Sequence, residues 1–273
     1  MAIKLIAIDI DATLINDNRE ITIATKEALT KAHQQGVKIV LCTGRPMTGV
    51  HAYLEELGLN SQDDEYVISF NGGLAQTTNG KILVNYTIDF DDYVDWLAFC
   101  TKSNVKSQIE TRDFIYTTNR DLSPWTIHES DLVSMPVRVR SVDEMMDVVI
   151  AKGMMLGDKE ELDRVEKVFP EDLAKRFTIV RSEDFYLEIT NNKASKGSTL
   201  KVLSEELGIK PEEVMALGNA RNDNSMIEFA GIGVAMGNAV EGTKAIADVI
   251  TDTNNNDGVG KAVEKYVLNN IGN

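Results

Sequence analysis

Two carboxylates, Asp9 and Asp11, stand one residue apart in the stretch "LIAIDIDATLIND", where an apolar run gives out. A carboxylate can accept a phosphoryl group as an aspartyl phosphate and so divide one difficult displacement into two easier ones. A second carboxylate two residues on, on the same side of an extended segment, can protonate the leaving oxygen and later activate water. Other polar residues follow later apolar runs. Thr43 and Gly44 follow "VKIVLC", Asn71 and Gly72 end "EYVISFNGG", and Asn219, Asn222 and Asp223 come after "EEVMALG". Lys196 and Gly197 open a helix-like segment, where free amide groups and the helix dipole favour an anion. Magnesium would let an anionic nucleophile approach an anionic phosphate, with Thr43 and Lys196 on the equatorial oxygens. Each residue alone has a plainer reading. Strand-end aspartates cap turns, Thr43 fits a turn hydroxyl, Lys196 a solvated lysine and Asp223 a helix-start carboxylate. Their joint placement points to phosphoryl transfer.

That placement requires a particular scaffold. Ile3 to Ile8 is a continuous apolar run, the pattern of a parallel strand covered on both faces. From Thr22 to Gln35 the period becomes helical, with Ala28, Leu29 and Ala32 on one face and Gly36 at the expected C-terminal stop. A second strand ends at Thr43, a helix is expected between Pro46 and Gly58, and a third strand runs into the Asn71 turn. Strand and helix thus alternate, as in a parallel α/β sheet. In such a sheet ligands bind beyond the carboxyl ends of the strands, where the winding reverses. From about 84 to 189 the rhythm changes to a helix near Asp91–Ser103 mixed with short strands such as "FIYTT", "GMMLG" and "FYLEIT". After Lys196 the alternation resumes. The expectation is an α/β core, 1–83 and 190–273, interrupted by an inserted α+β domain at 84–189.

The 273 residues suit one large domain or a core with an insertion, and 43% hydrophobic with 26% charged residues is an ordinary globular composition. A formal charge of -15 argues against nucleic acid as a partner while leaving room for a local anion pocket. No apolar run approaches the ~20 residues that span a bilayer, so a cytoplasmic protein without a membrane partner is expected. Cys42 and Cys100 lack metal-type spacing and read as reduced core thiols. "GIGVAMG" lacks the dinucleotide spacing, and "DTNNNDG" has Asp257 where a calcium loop needs glycine. His33, His51 and His128 form no metal motif.

Four motifs in order resemble the haloacid dehalogenase superfamily, and nearly the whole chain is similar to its Cof-type, YidA-like sugar-phosphate phosphatases. They are "AIDIDATL", "VLCTGRP", "NKASKGSTL" and "ALGNARNDNSMIEFAG". The resemblance implies a Rossmann-like core with a parallel sheet and an inserted cap of the C2B type. It makes Asp9 the nucleophile and Asp11 the general acid/base. Thr43, Gly44, Lys196 and Asn222 would contact phosphate, and Asp9, Asp11, Asn219 and Asp223 would form the Mg2+ site. Arg45, Asn71 and Gly72 would lie near the substrate. The implied partner is a small phosphorylated metabolite; monomer and homo-oligomer stay equally open.

Two positions depart from the family pattern. Ala12 replaces the glycine after the second aspartate, where an added methyl group restricts a sharply turning backbone. Asn219 replaces an aspartate that resembles a direct magnesium ligand, which keeps an oxygen donor but removes a charge. Three expectations therefore compete: a magnesium-dependent phosphatase, a catalytically impaired member that binds a phosphorylated metabolite or a protein partner, and a phosphotransferase using the same nucleophile.

Overall fold

The computed structural model describes residues 2–270. The chain first forms β1 (Leu5–Ile8), β2 (Lys38–Cys42), β3 (Tyr66–Ser69), β4 (Leu74–Thr77) and β5 (Ile82–Asn85). Then come β6 (Lys106–Glu110), β7 (Ile115–Thr117), β8 (Val137–Val139), β9 (Lys152–Leu156), β10 (Phe177–Glu183) and β11 (Tyr186–Asn191). Last are β12 (Val214–Gly218), β13 (Ile232–Ala235) and β14 (Val249–Ile250). The elements fall into two compact units. The first takes residues up to Gly44, His51–Asn85 and those from Ser195 on; the second takes Arg45–Val50 and Tyr86–Ala194.

In the first unit all four residues of β1 are buried, which explains its unbroken apolar sequence. The sheet order is β14-β13-β12-β1-β2-β3-β4-β5. Strands from β14 through β3 are parallel, and β4 and β5 close the edge as an antiparallel pair. Ile8 pairs with Leu217 on one side and Leu41 on the other. The chain winds from β1 towards β3 in one direction and from β12 towards β14 in the other. The reversal falls between β12 and β1, the crevice where α/β sheets place their ligands.

Helix Ile23–Gln34 starts where Thr22 Oγ1 accepts the Thr25 N–H at 3.4 Å and ends before Gly36, whose φ is 85°. It packs against helix Gly258–Tyr266, and helix Lys196–Glu206 packs against Asn224–Phe229. The helix expected between Pro46 and Gly58 is broken instead. Met47–Gly49 forms one 3₁₀ turn and the helix proper is His51–Leu57; the chain changes units between Val50 and His51.

The second unit is a six-stranded sheet ordered β10-β11-β9-β6-β7-β8, antiparallel except for β7 and β8. Helices Phe90–Lys102 and Lys159–Lys167 contribute Trp96, Cys100, Leu162 and Val165 to a core shared with Ile109, Met155, Leu187 and Ile189. The alternate strand residues form a different layer. There Met154, Leu156 and Tyr186 pack with Trp125 and Phe185, whose rings stack at 4.1 Å and 6°. Beside them Lys152 is buried with its ammonium 3.2 Å from Glu110 and 3.3 Å from Glu188. The strands expected at "FIYTT", "GMMLG" and "FYLEIT" are β7, β9 and β11. Cys42 and Cys100 are both buried free thiols, and burial pushes the Cys42 thiol up to about 12.

Candidate active site

Because β12, β1, β2 and β3 run parallel, the residues that follow them meet along one sheet edge. Backbone hydrogen bonds join these ends. The Asp9 N–H donates to Leu217 O at 3.0 Å, Thr43 N–H to Ile68 O at 2.9 Å, and Asn71 N–H to Thr43 O at 2.9 Å. Asp9, Thr43, Lys196 and Asp223 are all buried, whereas Asp11 and Asn222 are exposed.

Lys196, the first residue of its helix, reaches two carboxylates. Its Nζ donates to Asp9 Oδ1 and to Asp223 Oδ1, each at 2.6 Å. Asp223 Oδ2 accepts the main-chain N–H groups of Asn219 at 2.8 Å and Ala220 at 2.9 Å, so this carboxylate holds the turn after β12 in place. One ammonium between two buried carboxylates leaves an excess negative charge. Burial, and then the facing Asp223, push Asp9 up to about 7 against the pull of Lys196. Burial opposes the charge on Lys196, but Asp223 and Asp9 outweigh it and hold the ammonium well above the usual lysine range.

After Asp9 the chain makes a tight turn in which Leu14 N–H reaches Asp9 O and Ile15 N–H reaches Ile10 O, both at 3.1 Å. Asp11 is extended, with φ -73° and ψ 123°, and Ala12 is left-handed, with φ 55° and ψ 20°. This is a glycine-like backbone carrying a methyl group. Asn238 Nδ2 donates to Ala12 O at 2.8 Å and fastens the turn from outside.

Asn219 faces the inside of that turn. The inward head atom of its amide lies 3.0 Å from Thr13 Oγ1, 3.2 Å from Asp9 Oδ2 and 3.1 Å from Asp11 O. With nitrogen in that place it donates to all three; with Oδ1 there it accepts from Thr13 Oγ1. Magnesium binds oxygen at about 2.0–2.1 Å in an octahedron, which sets neighbouring ligands about 2.9 Å apart. An inward Asn219 Oδ1 would lie near that spacing from both Asp9 Oδ2 and Asp11 O. The donor set therefore fits a magnesium ion once the amide presents oxygen, with one formal charge among the three ligands. Among the described residues no group of three or more His, Cys, Asp or Glu forms a metal cluster.

The remaining expected residues fall in different places. Asn71, left-handed at φ 54°, accepts from Asn222 Nδ2 at 3.0 Å, and its side chain covers Gly44. Gly72 is buried, with φ 97°, where a Cβ would overlap the Ser195 carbonyl, and its own carbonyl accepts from Thr199 Oγ1 at 2.6 Å. Arg45 belongs to the second unit, where its Nη1 donates to Gly49 O at 3.3 Å. The expected anion position at the start of helix Lys196–Glu206 is corrected by its hydrogen bonds. Gly197 N–H donates to Ser225 Oγ and Ser198 N–H to Ser195 Oγ, each at 3.0 Å, so these amides are already satisfied. Sequence reasoning missed Thr13, Ser225 and Asn238. Thr13 and Ser225 lie within the quoted motifs, which do not reveal their partners; Asn238 lies outside them.

A family model for haloacid dehalogenase-like hydrolases matches residues 6–263. YxeH of Bacillus subtilis (strain 168), whose name gives it a phosphatase role provisionally, is 41% identical over 267 residues, 97% of this chain and 98% of its own. A solved haloacid dehalogenase-like hydrolase from Bacteroides thetaiotaomicron superposes with a TM-score of 0.86 at 33% identity, covering 96% of this chain and 99% of that one. The solved subclass IIB sugar phosphatase BT4131 superposes with a TM-score of 0.77 at 27% identity, covering 96% and 98%. The chain belongs to the haloacid dehalogenase-like hydrolase family and is an enzyme of the phosphoric monoester hydrolase class.

Proposed function

We propose that the protein is a magnesium-dependent phosphatase of small phosphomonoesters, sugar phosphates in particular, that works through an aspartyl phosphate on Asp9. The observation that carries this reading is the buried Asp9 carboxylate at the end of the central strand. One of its oxygens is held by Lys196 at 2.6 Å and the other is turned towards Asn219 and the Asp11 turn. The sugar-phosphate assignment draws support from the likeness to a sugar phosphatase. A cytoplasmic location goes with this reading, and no helix of the described residues is long and apolar enough to cross a membrane.

In the reaction an Asp9 oxygen attacks phosphorus, and the bond from phosphorus to the ester oxygen breaks. Asp11, at the exposed side of the turn, gives its proton to the departing alcohol oxygen. The same Asp11 then takes a proton from water, which attacks the aspartyl phosphate and releases inorganic phosphate with Asp9 restored. Thr43, Gly44, Lys196 and Asn222 hold the phosphoryl oxygens, and the fixed Lys196 ammonium balances charge as it redistributes. Asp9, the Asp11 carbonyl and Asn219 would hold Mg2+, with Asp223 supporting them from behind. Bound there, the ion supplies positive charge that lets two anions meet.

The test is phosphate release from a panel of sugar phosphates and other small phosphomonoesters with millimolar magnesium. Turnover of at least one substrate, abolished in Asp9→Asn, is expected. A panel with no turnover, or an unchanged rate in Asp9→Asn, overturns the reading. A second reading, a poorly active member that retains a phosphorylated metabolite, is favoured by the strained Ala12 and the neutral Asn219. Near-zero turnover by the parent, with a gain of orders of magnitude in the double variant Ala12→Gly, Asn219→Asp, would decide for it.

A further inference from the structure

The Asn219 amide meets two incompatible demands. Its inward head atom is surrounded by Thr13 Oγ1, Asp9 Oδ2 and Asp11 O within 3.2 Å. With nitrogen inward, two N–H groups face three acceptors, all within 3.2 Å of the nitrogen. With oxygen inward, a fourth acceptor enters the cluster and accepts from the Thr13 hydroxyl. Oxygens at these separations repel one another unless a cation lies among them. The backbone at this position is fixed on both sides. Asn219 N–H donates to Asp223 Oδ2 at 2.8 Å, and Asn219 O accepts Val240 N–H at 2.9 Å. What remains free to change is the rotation of the side-chain amide.

We propose that Asn219 is a two-position switch in which its NH2 group stands in for the cation. Without metal it donates to Asp9 Oδ2 and Asp11 O; with a divalent ion bound it turns over and offers Oδ1. The inference rests on the reading of this site as magnesium-binding. An aspartate at the same position has no hydrogen to donate and would set a further carboxylate about 3 Å from Asp9 Oδ2, so its metal-free form would be repelled apart. The asparagine keeps the nucleophile turn ordered without metal. The consequence is weaker ion binding, because the ion must displace internal hydrogen bonds and gains one less charged ligand.

The experiment uses the full chain, isotopically labelled, with magnesium chloride as the probe. The Asn219 side-chain amide is assigned by its loss in Asn219→Asp and followed by NMR during the titration, while melting is measured in chelator and in magnesium. The Asn219 amide signals should move to new positions as the ion saturates. Asn219→Asp should melt at least about 2–4 °C below the parent in chelator and bind magnesium at least about tenfold more tightly. Asn219→Ala, which lacks both the donor and the oxygen ligand, should likewise melt lower in chelator but without the tighter magnesium binding expected of Asn219→Asp. Magnesium binding with an unmoved Asn219 amide overturns the switch and leaves the metal-dependent reading standing. Equal melting of all three proteins in chelator also overturns it. No magnesium binding by any of the three overturns both readings.

Discussion

At Ala12 a side chain occupies backbone space that glycine enters freely. Its φ of 55° carries a penalty of about 1–2 kcal/mol for an L-residue, partly offset because alanine has less freedom to lose on folding. Ala12→Gly is therefore expected to stabilise the protein by up to about 1 kcal/mol. An equilibrium urea titration checks this, and an unchanged or lower midpoint would show that the turn accepts the methyl group without strain. The departure from glycine was visible in the sequence, since it interrupts a motif. Its conformation was not, because φ depends on the hydrogen bonds that close the turn. Asp9, Asp11, Lys196 and Asp223 could be singled out because each follows a buried run or opens a helix. Thr13, Ser225 and Asn238 act on partners 206, 28 and 226 residues away, and no spacing pattern reports such distances.

Among the elements, helix Lys196–Glu206 delivers the lysine, and its start is pressed against two backbones. A Cβ on Gly197 would overlap the Ser225 carbonyl, and one on Gly72 would overlap that of Ser195. Gly197→Ala should therefore destabilise the protein by about 1–3 kcal/mol or more, read as a lower melting temperature. Unchanged melting would mean that the two helices separate easily. Strands β1, β2, β3 and β12 were legible because burial on both faces leaves an unbroken apolar run. The pair β4 and β5 was not anticipated. Gln76 and Thr77 are buried polar residues in β4, and β5 reads exposed, intermediate, buried, exposed, so neither carries a clean period. The amide groups opening helix Lys196–Glu206 looked ready for an anion in the sequence. Ser195 and Ser225 answer them instead, and only the packing of two helices reveals Ser225.

At the scale of the molecule, the second unit has an ionic centre that no local motif announced. Glu110, Lys152 and Glu188 come from β6, β9 and β11, and Glu129 from the helix Pro124–Val133. Burial, opposed by Lys152 and reinforced by Glu129 and Glu188, pushes the Glu110 carboxyl up to about 8. The folded protein thus keeps a proton that the unfolded chain releases near 4.5. This contribution to stability is complete below pH 4.5 and is lost as pH rises through about 8. Melting temperature should fall across that window, and Glu110→Gln, which cannot ionise, should flatten the fall; an identical pH profile in the variant would exclude this origin. The change of rhythm near 84 and the return of α/β alternation after Lys196 could be read from hydrophobic periods. Assignment of Arg45–Val50 to the second unit could not, since Thr48 Oγ1 finds its acceptor in Val133, 85 residues away. The aromatic layer of that unit has an optical consequence. The chain contains two tryptophans: Trp96 in the helical core and Trp125 stacked on Phe185. Both lie in the second unit, so tryptophan emission is a built-in reporter of that unit alone. Comparing it with far-ultraviolet circular dichroism during denaturation would show whether the two units melt together or in sequence.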